Sequence, residues 1–335
     1  MINDRITKKA FFSFLNDFSA DKTLIYPINN GKTVEYREPA DNSIPEIYDL
    51  PDDCIAYNSI KSFYFPQTEL MFSVKNNEMQ PNANPPEYVI FGARPCDLEA
   101  LRVMNTVYTT GKYADPFFLK RLESNFLVAV GCKTLKPECF CNEMNITKEY
   151  SDFCDIMLED IGDSYIIKFL SDKGKQIIKS YPCPATATEP FPCLASSPDI
   201  PQTSALQLDP EKSDTEFFDI IDWEKVTETC QGCGICTYIC PTCYCFDFKD
   251  TVKHGEAKRY KCWDSCMYPK FTLHASGHNP RSVRYERYRQ RVLHKYKYVP
   301  KNFEGTVACT GCGRCIRSCP VGINIKNIVK TVTEA

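Results

Sequence analysis

Two cysteine runs constrain this chain more than anything else in it. Cys230-x2-Cys233-x2-Cys236-x3-Cys240-Pro241 recurs as Cys309-x2-Cys312-x2-Cys315-x3-Cys319-Pro320. Three thiols at two-residue spacing let one tight loop reach three irons of a cubane. The fourth, just before proline, serves the other cluster in two-cluster ferredoxins. The spacing therefore assigns one [4Fe–4S] cluster to Cys230, Cys233, Cys236 and Cys319, and a second to Cys309, Cys312, Cys315 and Cys240. Glycines at 232, 234, 311 and 313 supply the left-handed backbone such loops need. Zinc also uses C-x2-C pairs, but it takes its ligands as two pairs and leaves the third cysteine of each run unexplained. The 68 residues between Cys240 and Cys309 exceed what a compact bacterial ferredoxin holds and point to a helical two-cluster domain, with each motif at the end of a helix.

The 335 residues carry 20 cysteines, and 40 Lys plus Arg stand against 43 Asp plus Glu. The length suits two domains. No apolar run approaches the roughly 20 residues of a membrane span. The amino terminus has charges and an amphipathic stretch, without the apolar core of a signal peptide. Cysteine at this density then belongs to a reducing cytoplasm, where thiols hold metal more often than they form disulfides. The balanced charge gives no reason to invoke nucleic acid. Residues 251–301 hold 13 Lys or Arg against Glu256, Asp264 and Glu286, which suits balancing anionic clusters.

Residues 1–180 read as a mixed α/β domain. Ile6, Phe11, Phe14, Leu15 and Phe18 recur at helical spacing after Thr7, a suitable N-cap. Apolar runs at 87–92 and 125–131 flank a helix carrying Leu98, Leu101, Val103 and Met104, with Asp97 as its cap. Strand, helix, strand in this order is a parallel βαβ unit, and 164–170 is a further strand. Residues 181–222 are a proline-rich linker, and 223–335 form the helical ferredoxin domain. The fold class is thus α+β or α/β in the first part, with a helical two-cluster domain after it.

Further cysteines fall into two groups. Cys96 and Cys132 follow the two parallel strands, at the carboxyl edge where open α/β sheets place their sites. Cys139 and Cys141 return to that edge on a short loop, so these four thiols suit a third [4Fe–4S] cluster; the alternative is plain core packing. Cys243, Cys245 and Cys266, with Cys262, surround the first motif. They complete another cluster, exchange ligands with the previous group, or pack beside the first cluster. Cys54, Cys154, Cys183 and Cys193 lack partners at ligand spacing. His274-x3-His278 is interrupted by Ser276-Gly277, which favours a turn over a helical metal site. No GxGxxG or Walker A motif provides a nucleotide site.

Phe91-Gly92-Ala93-Arg94-Pro95-Cys96-Asp97, Glu138-Cys139-Phe140-Cys141, Cys240-Pro241-Thr242-Cys243-Tyr244-Cys245 and Trp263-Asp264-Ser265-Cys266 together resemble the iron–sulfur relay subunit of anaerobic sulfite reductase. They equally resemble the iron–sulfur beta subunit of cytosolic sulfhydrogenases. The match extends through Gly277-His278-Asn279 and Arg291-Val292-Leu293-His294-Lys295. Cys262 and the short tail after Cys319 depart from the family pattern. The resemblance implies an electron-transfer subunit, not catalytic alone, that passes electrons from an FAD-containing NAD(P)H oxidoreductase subunit to a catalytic subunit. The catalytic partner is a siroheme sulfite reductase in one branch, the first expectation here, and a nickel–iron hydrogenase in the other, with another flavin-coupled complex as the further alternative. An iron–sulfur enzyme acting on thiols or disulfides is the reading from another class.

Overall fold

The computed structural model describes residues 4–45, 48, 50, 55–82, 85–180, 206–209 and 211–334. Strand β1 (Asp4–Thr7) runs into helix α1 (Lys8–Phe18), where Thr7 Oγ1 accepts from the Ala10 amide at 3.3 Å as the sequence predicts. Strands β2 (Thr23–Asn29), β3 (Val34–Arg37), β4 (Thr68–Lys75), β5 (Glu78–Pro81) and β6 (Tyr88–Ala93) follow. Then come α2 (Pro95–Thr109), α3 (Pro116–Ser124), β7 (Phe126–Val130), β8 (Ile156–Asp160), β9 (Ser164–Phe169) and α4 (Asp172–Ser180).

Seven of these strands make one mixed sheet in the order β1-β9-β8-β7-β6-β2-β3. Its centre is parallel: β6 pairs with β2 and β7, and β7 with β8. Strand residues alternate between faces. Val89, Phe91 and Val128 pack on Phe11, Phe12 and Leu15 of α1, while Ile90, Leu127 and Ala129 pack on Leu98, Leu101 and Met104 of α2. Every residue of β7 is buried, as a strand covered on both faces requires. The expected βαβ unit is present, with two helices in its crossover. The capping assignment needs correction. Pro95, with its fixed φ and missing N–H, opens α2 behind Arg94 at the N-cap, so Asp97 sits inside the first turn with its side chain fully buried.

The region carrying both cysteine runs contains α5 (Asp214–Asp219), α6 (Trp223–Val226), α7 (Ile235–Tyr238), β10 (Phe246–Lys253), β11 (Glu256–Trp263) and α8 (Arg284–Leu293). Helix α8 continues through a π-helical turn, His294–Tyr298, into α9 (Val299–Asn302); α10 (Arg314–Arg317) and α11 (Ile325–Glu334) complete the chain. Trp223, Tyr288, Val292, Tyr296 and Val329 form its core. Strands β10 and β11 join β4 and β5 in a second sheet, ordered β10-β11-β4-β5, so segments from either side of 181–222 share one ladder. Residues 181–205 and 210, most of the proline-rich stretch, lie outside the described residues.

Candidate metal centres

Each cysteine run forms a loop leading into a four-residue helix, α7 or α10, whose N-cap is a left-handed glycine: Gly234 at φ 79° and Gly313 at φ 73°. Two cavities open where these loops meet. Cys230, Cys233, Cys236 and Cys319 line the first; Cys240, Cys309 and Cys312 line the second, and Cys315 lies on the wall of both. The last cysteine of each run thus faces the cavity of the other run. Backbone amides already point at sulfur, Gly232 N at Cys230 Sγ (3.4 Å) and Ile323 N at Cys319 Sγ (3.3 Å). The donor set fits two cubanes: soft thiolate sulfur with amide hydrogen bonds. Burial pushes the Cys236 thiol up to about 11 and the Cys312 thiol up to about 12, so binding a metal there would displace protons.

Buried cations complete this environment. Arg291, 2% exposed, lines both cavities and donates to Cys236 O at 3.2 Å. Lys295, 3% exposed, sends its ammonium to Cys240 Sγ at 3.2 Å, Thr242 Oγ1 at 2.8 Å and Ala308 O at 2.9 Å. Burial opposes the Lys295 charge, but Cys240, Cys243 and Cys309 outweigh it and hold its pKa above the ordinary value. Neither side chain meets a carboxylate among the described residues. A buried cation without a counter-charge is costly, and the anionic clusters these cavities suit would supply it.

The four cysteines at the sheet edge also come together. Cys96 lies in the first turn of α2, just beyond β6, and Cys132 lies two residues beyond β7. Cys132 is within electrostatic reach of Cys96, Cys139 and Cys141. Their loop rests directly on the second cysteine run: Phe140 N donates to Gly311 O at 2.8 Å, and Cys139 Sγ approaches Cys312 O at 3.7 Å. A Cβ on Gly311 would come within 2.5 Å of the Phe140 carbonyl carbon, and one on Gly313 within 2.7 Å of Glu138, so only glycine permits this seating.

Sequence reasoning missed the contact that locks this seam. Arg314, in the middle of the second run, makes a bidentate ion pair with Asp97 at 2.7 and 2.9 Å and donates to Ala56 O at 2.8 Å. Both side chains are fully buried. The only signal was a charged residue inside each motif, Asp97 beside Cys96 and Arg314 between Cys312 and Cys315.

The remaining cysteines separate. The Cys245 and Cys266 thiols face each other within hydrogen-bond reach, with Cys243 beside Cys240 and also close to Cys266. Cys262 sits apart from them on β11, opposite Asp247. Cys154 is a buried thiol against Ser151 O at 3.7 Å. Cys54, Cys183 and Cys193 lie outside the described residues. His274 and His278 close a turn, His274 N donating to His278 O at 2.8 Å. His294 faces Tyr244 Oη at 3.3 Å, and burial, with Lys295 and Arg281, pushes its pKa down to about 4.

Residues 229–323 match the 4Fe–4S dicluster domain family. Along 339 aligned residues, 98% of either chain, the sequence is 29% identical to sulfhydrogenase 2 subunit beta of Pyrococcus furiosus. The similarity runs along nearly the whole of both chains. The chain is an iron–sulfur protein with a C-terminal 4Fe–4S dicluster domain, and zinc is not the reading its cysteine runs support. Among the described residues no three His, Cys, Asp or Glu side chains close around a single ion, whereas the dicluster thiols ring wider cavities. No solved structure matches the chain. Among the described residues no helix is long and apolar enough to cross a membrane.

Proposed function

We propose that this chain is the electron-relay subunit of a multi-subunit oxidoreductase, carrying electrons from an FAD-containing NAD(P)H-oxidising subunit to a catalytic subunit. Its ligand sets are Cys230, Cys233, Cys236 and Cys319; Cys309, Cys312, Cys315 and Cys240; and Cys96, Cys132, Cys139 and Cys141. When bound, such clusters accept and release single electrons. The chain's own residues hold them close together: Arg291 stands between the first two sites, and the Cys139–Cys141 loop rests on the Cys312 loop beside the third. The observation that carries the reading is the crossing of the two motifs, each supplying one cysteine to the cavity of the other.

The domain roles follow the same reading: residues 1–180 dock a partner and hold the third site, 181–222 link, and 223–335 carry the cluster pair. Similarity along the whole chain to a sulfhydrogenase subunit supports a hydrogenase-type catalytic partner. A siroheme sulfite reductase partner, expected from the motifs, uses the same relay chemistry. Anaerobic co-purification of the tagged full chain tests both. Nickel in the complex supports the first, siroheme absorption supports the second, and a chain with neither redox partner nor iron overturns the relay. Replacing Cys319 with Ala should damage the cluster of Cys230, Cys233 and Cys236. Loss confined to the site of Cys309, Cys312 and Cys315 would sink the crossed scheme.

A further inference from the structure

One group of thiols remains outside these three sites. The turn after Pro241 is tied to the turn Trp263–Cys266 by Asp264 N donating to Cys245 O at 2.9 Å, and α7 is tied to that second turn by Thr237 Oγ1 against the buried Ser265 Oγ at 2.8 Å. This sets the Cys245 and Cys266 thiols within hydrogen-bond reach of each other, with Cys243, whose thiol lies against Cys240, close to Cys266. Beside them lies a cavity of about 290 Å³, walled by Cys245, Cys266, Phe271, Arg281 and His294. Arg281 Nε has no hydrogen-bond partner there.

Charge decides what these thiols do. Lys61, 3% exposed, reaches over from the Ile60–Phe63 turn and caps the group. Its ammonium donates to Cys243 O at 3.0 Å and Tyr238 O at 3.2 Å, and lies 3.8 Å from the Trp263 ring centroid. Carbonyls and a ring solvate a cation without neutralising it. Among the described residues Lys61 has no carboxylate partner. A Cys245–Cys266 disulfide is neutral and would leave only Cys243 and Cys240 to balance that charge. Three thiolates on an iron–sulfur cluster would balance it.

Resting on the relay reading above, we propose that Cys243, Cys245 and Cys266 hold a fourth iron–sulfur cluster whose remaining iron faces the cavity beside His294 and Arg281. Lacking a cysteine, that iron takes an exchangeable ligand from the cavity, and the free Arg281 N–H favours a small anion of the thiolate or cyanide class. The site differs in kind from the other three, whose irons are closed by four cysteines each.

Iron and acid-labile sulfide in the anaerobically purified full chain, freed of partner subunits, test this, comparing wild type with Cys245→Ser and Cys139→Ser. About sixteen of each per chain are expected for four cubanes, each variant losing about four. Twelve that fall only with Cys139→Ser overturn the fourth site and leave the relay reading intact. Twelve that fall only with Cys245→Ser support this site and overturn the third. Should a variant fail to fold, a wild-type count of about sixteen supports the site, and at about twelve the ferricyanide and cyanide responses decide. Mild ferricyanide oxidation should convert one cluster per chain to a three-iron form seen by EPR, and cyanide should shift that cluster's signal before oxidation. No conversion and no cyanide effect, or a stoichiometric Cys245–Cys266 disulfide by mass spectrometry, overturns the proposal.

Discussion

The seven-stranded sheet and the dicluster region touch along Asp97 and Arg314, but different forces hold them. In the sheet, β6 and β7 send alternate residues into two apolar layers, and each contact lowers the free energy with no ligand present. In the dicluster region, α7 and α10 have four residues each. Isolated helices need roughly 12–15 residues to persist in water. Arg291 and Lys295 are buried there without carboxylates. Such a region should draw much of its folding free energy from what it binds, whereas the sheet should hold on its apolar packing.

Removing the metal breaks this comparison most directly, because metal-binding energy becomes folding energy where no preformed site exists. Chelation under reducing conditions should lower amide protection across 230–240 and 309–319 by at least about two orders of magnitude, while 126–130 keeps its protection. Equal loss in both regions, read by hydrogen exchange with mass spectrometry, would show one cooperative unit and end the distinction. Next in size is the seam. Asp97→Asn leaves Arg314 buried and unpaired, which should cost about 3–5 kcal/mol in chemical denaturation. The double variant Asp97→Leu with Arg314→Met should recover part of that loss. A cost under about 1 kcal/mol for the single change would mean the halves are not locked there.

What could be read in the sequence divides along the same line. The strands, the Thr7 cap and the eight motif cysteines depend on residues a few positions apart, so their patterns are visible locally. The helical character of the second region was legible only from the length of chain between its motifs, since α7 and α10 are too short to show a period. Asp97 looked like a cap because its partner, Arg314, lies 217 positions away. The pairing of β4 with β11 was equally hidden: β4 is part-buried and β11 carries Lys258, Arg259 and Lys261, so neither has the apolar pattern that marks β7. The edge cysteines were legible as a group because the parallel strands fixed where their loops emerge, but the loop's seat on Gly311 was not.

The smallest expected effect is also the most local. Lys295 donates to Cys240 Sγ, a ligand of the proposed second cluster, and its fixed positive charge favours the more negative, reduced state. Lys295→Gln keeps a donor at nearly the same reach while removing the charge. The midpoint of that cluster should fall by some tens of millivolts, where roughly 59 mV is a tenfold change for one electron. The cluster of Cys230, Cys233 and Cys236 should move less, because no Lys295 contact reaches it. EPR-monitored redox titration separates the two, and a Lys295→Arg variant should hold both near wild type. Equal shifts at both clusters would mean that Lys295 supports the fold generally. A selective shift would show that the buried cations of this region set electron flow as well as balance charge, a task the apolar sheet never has.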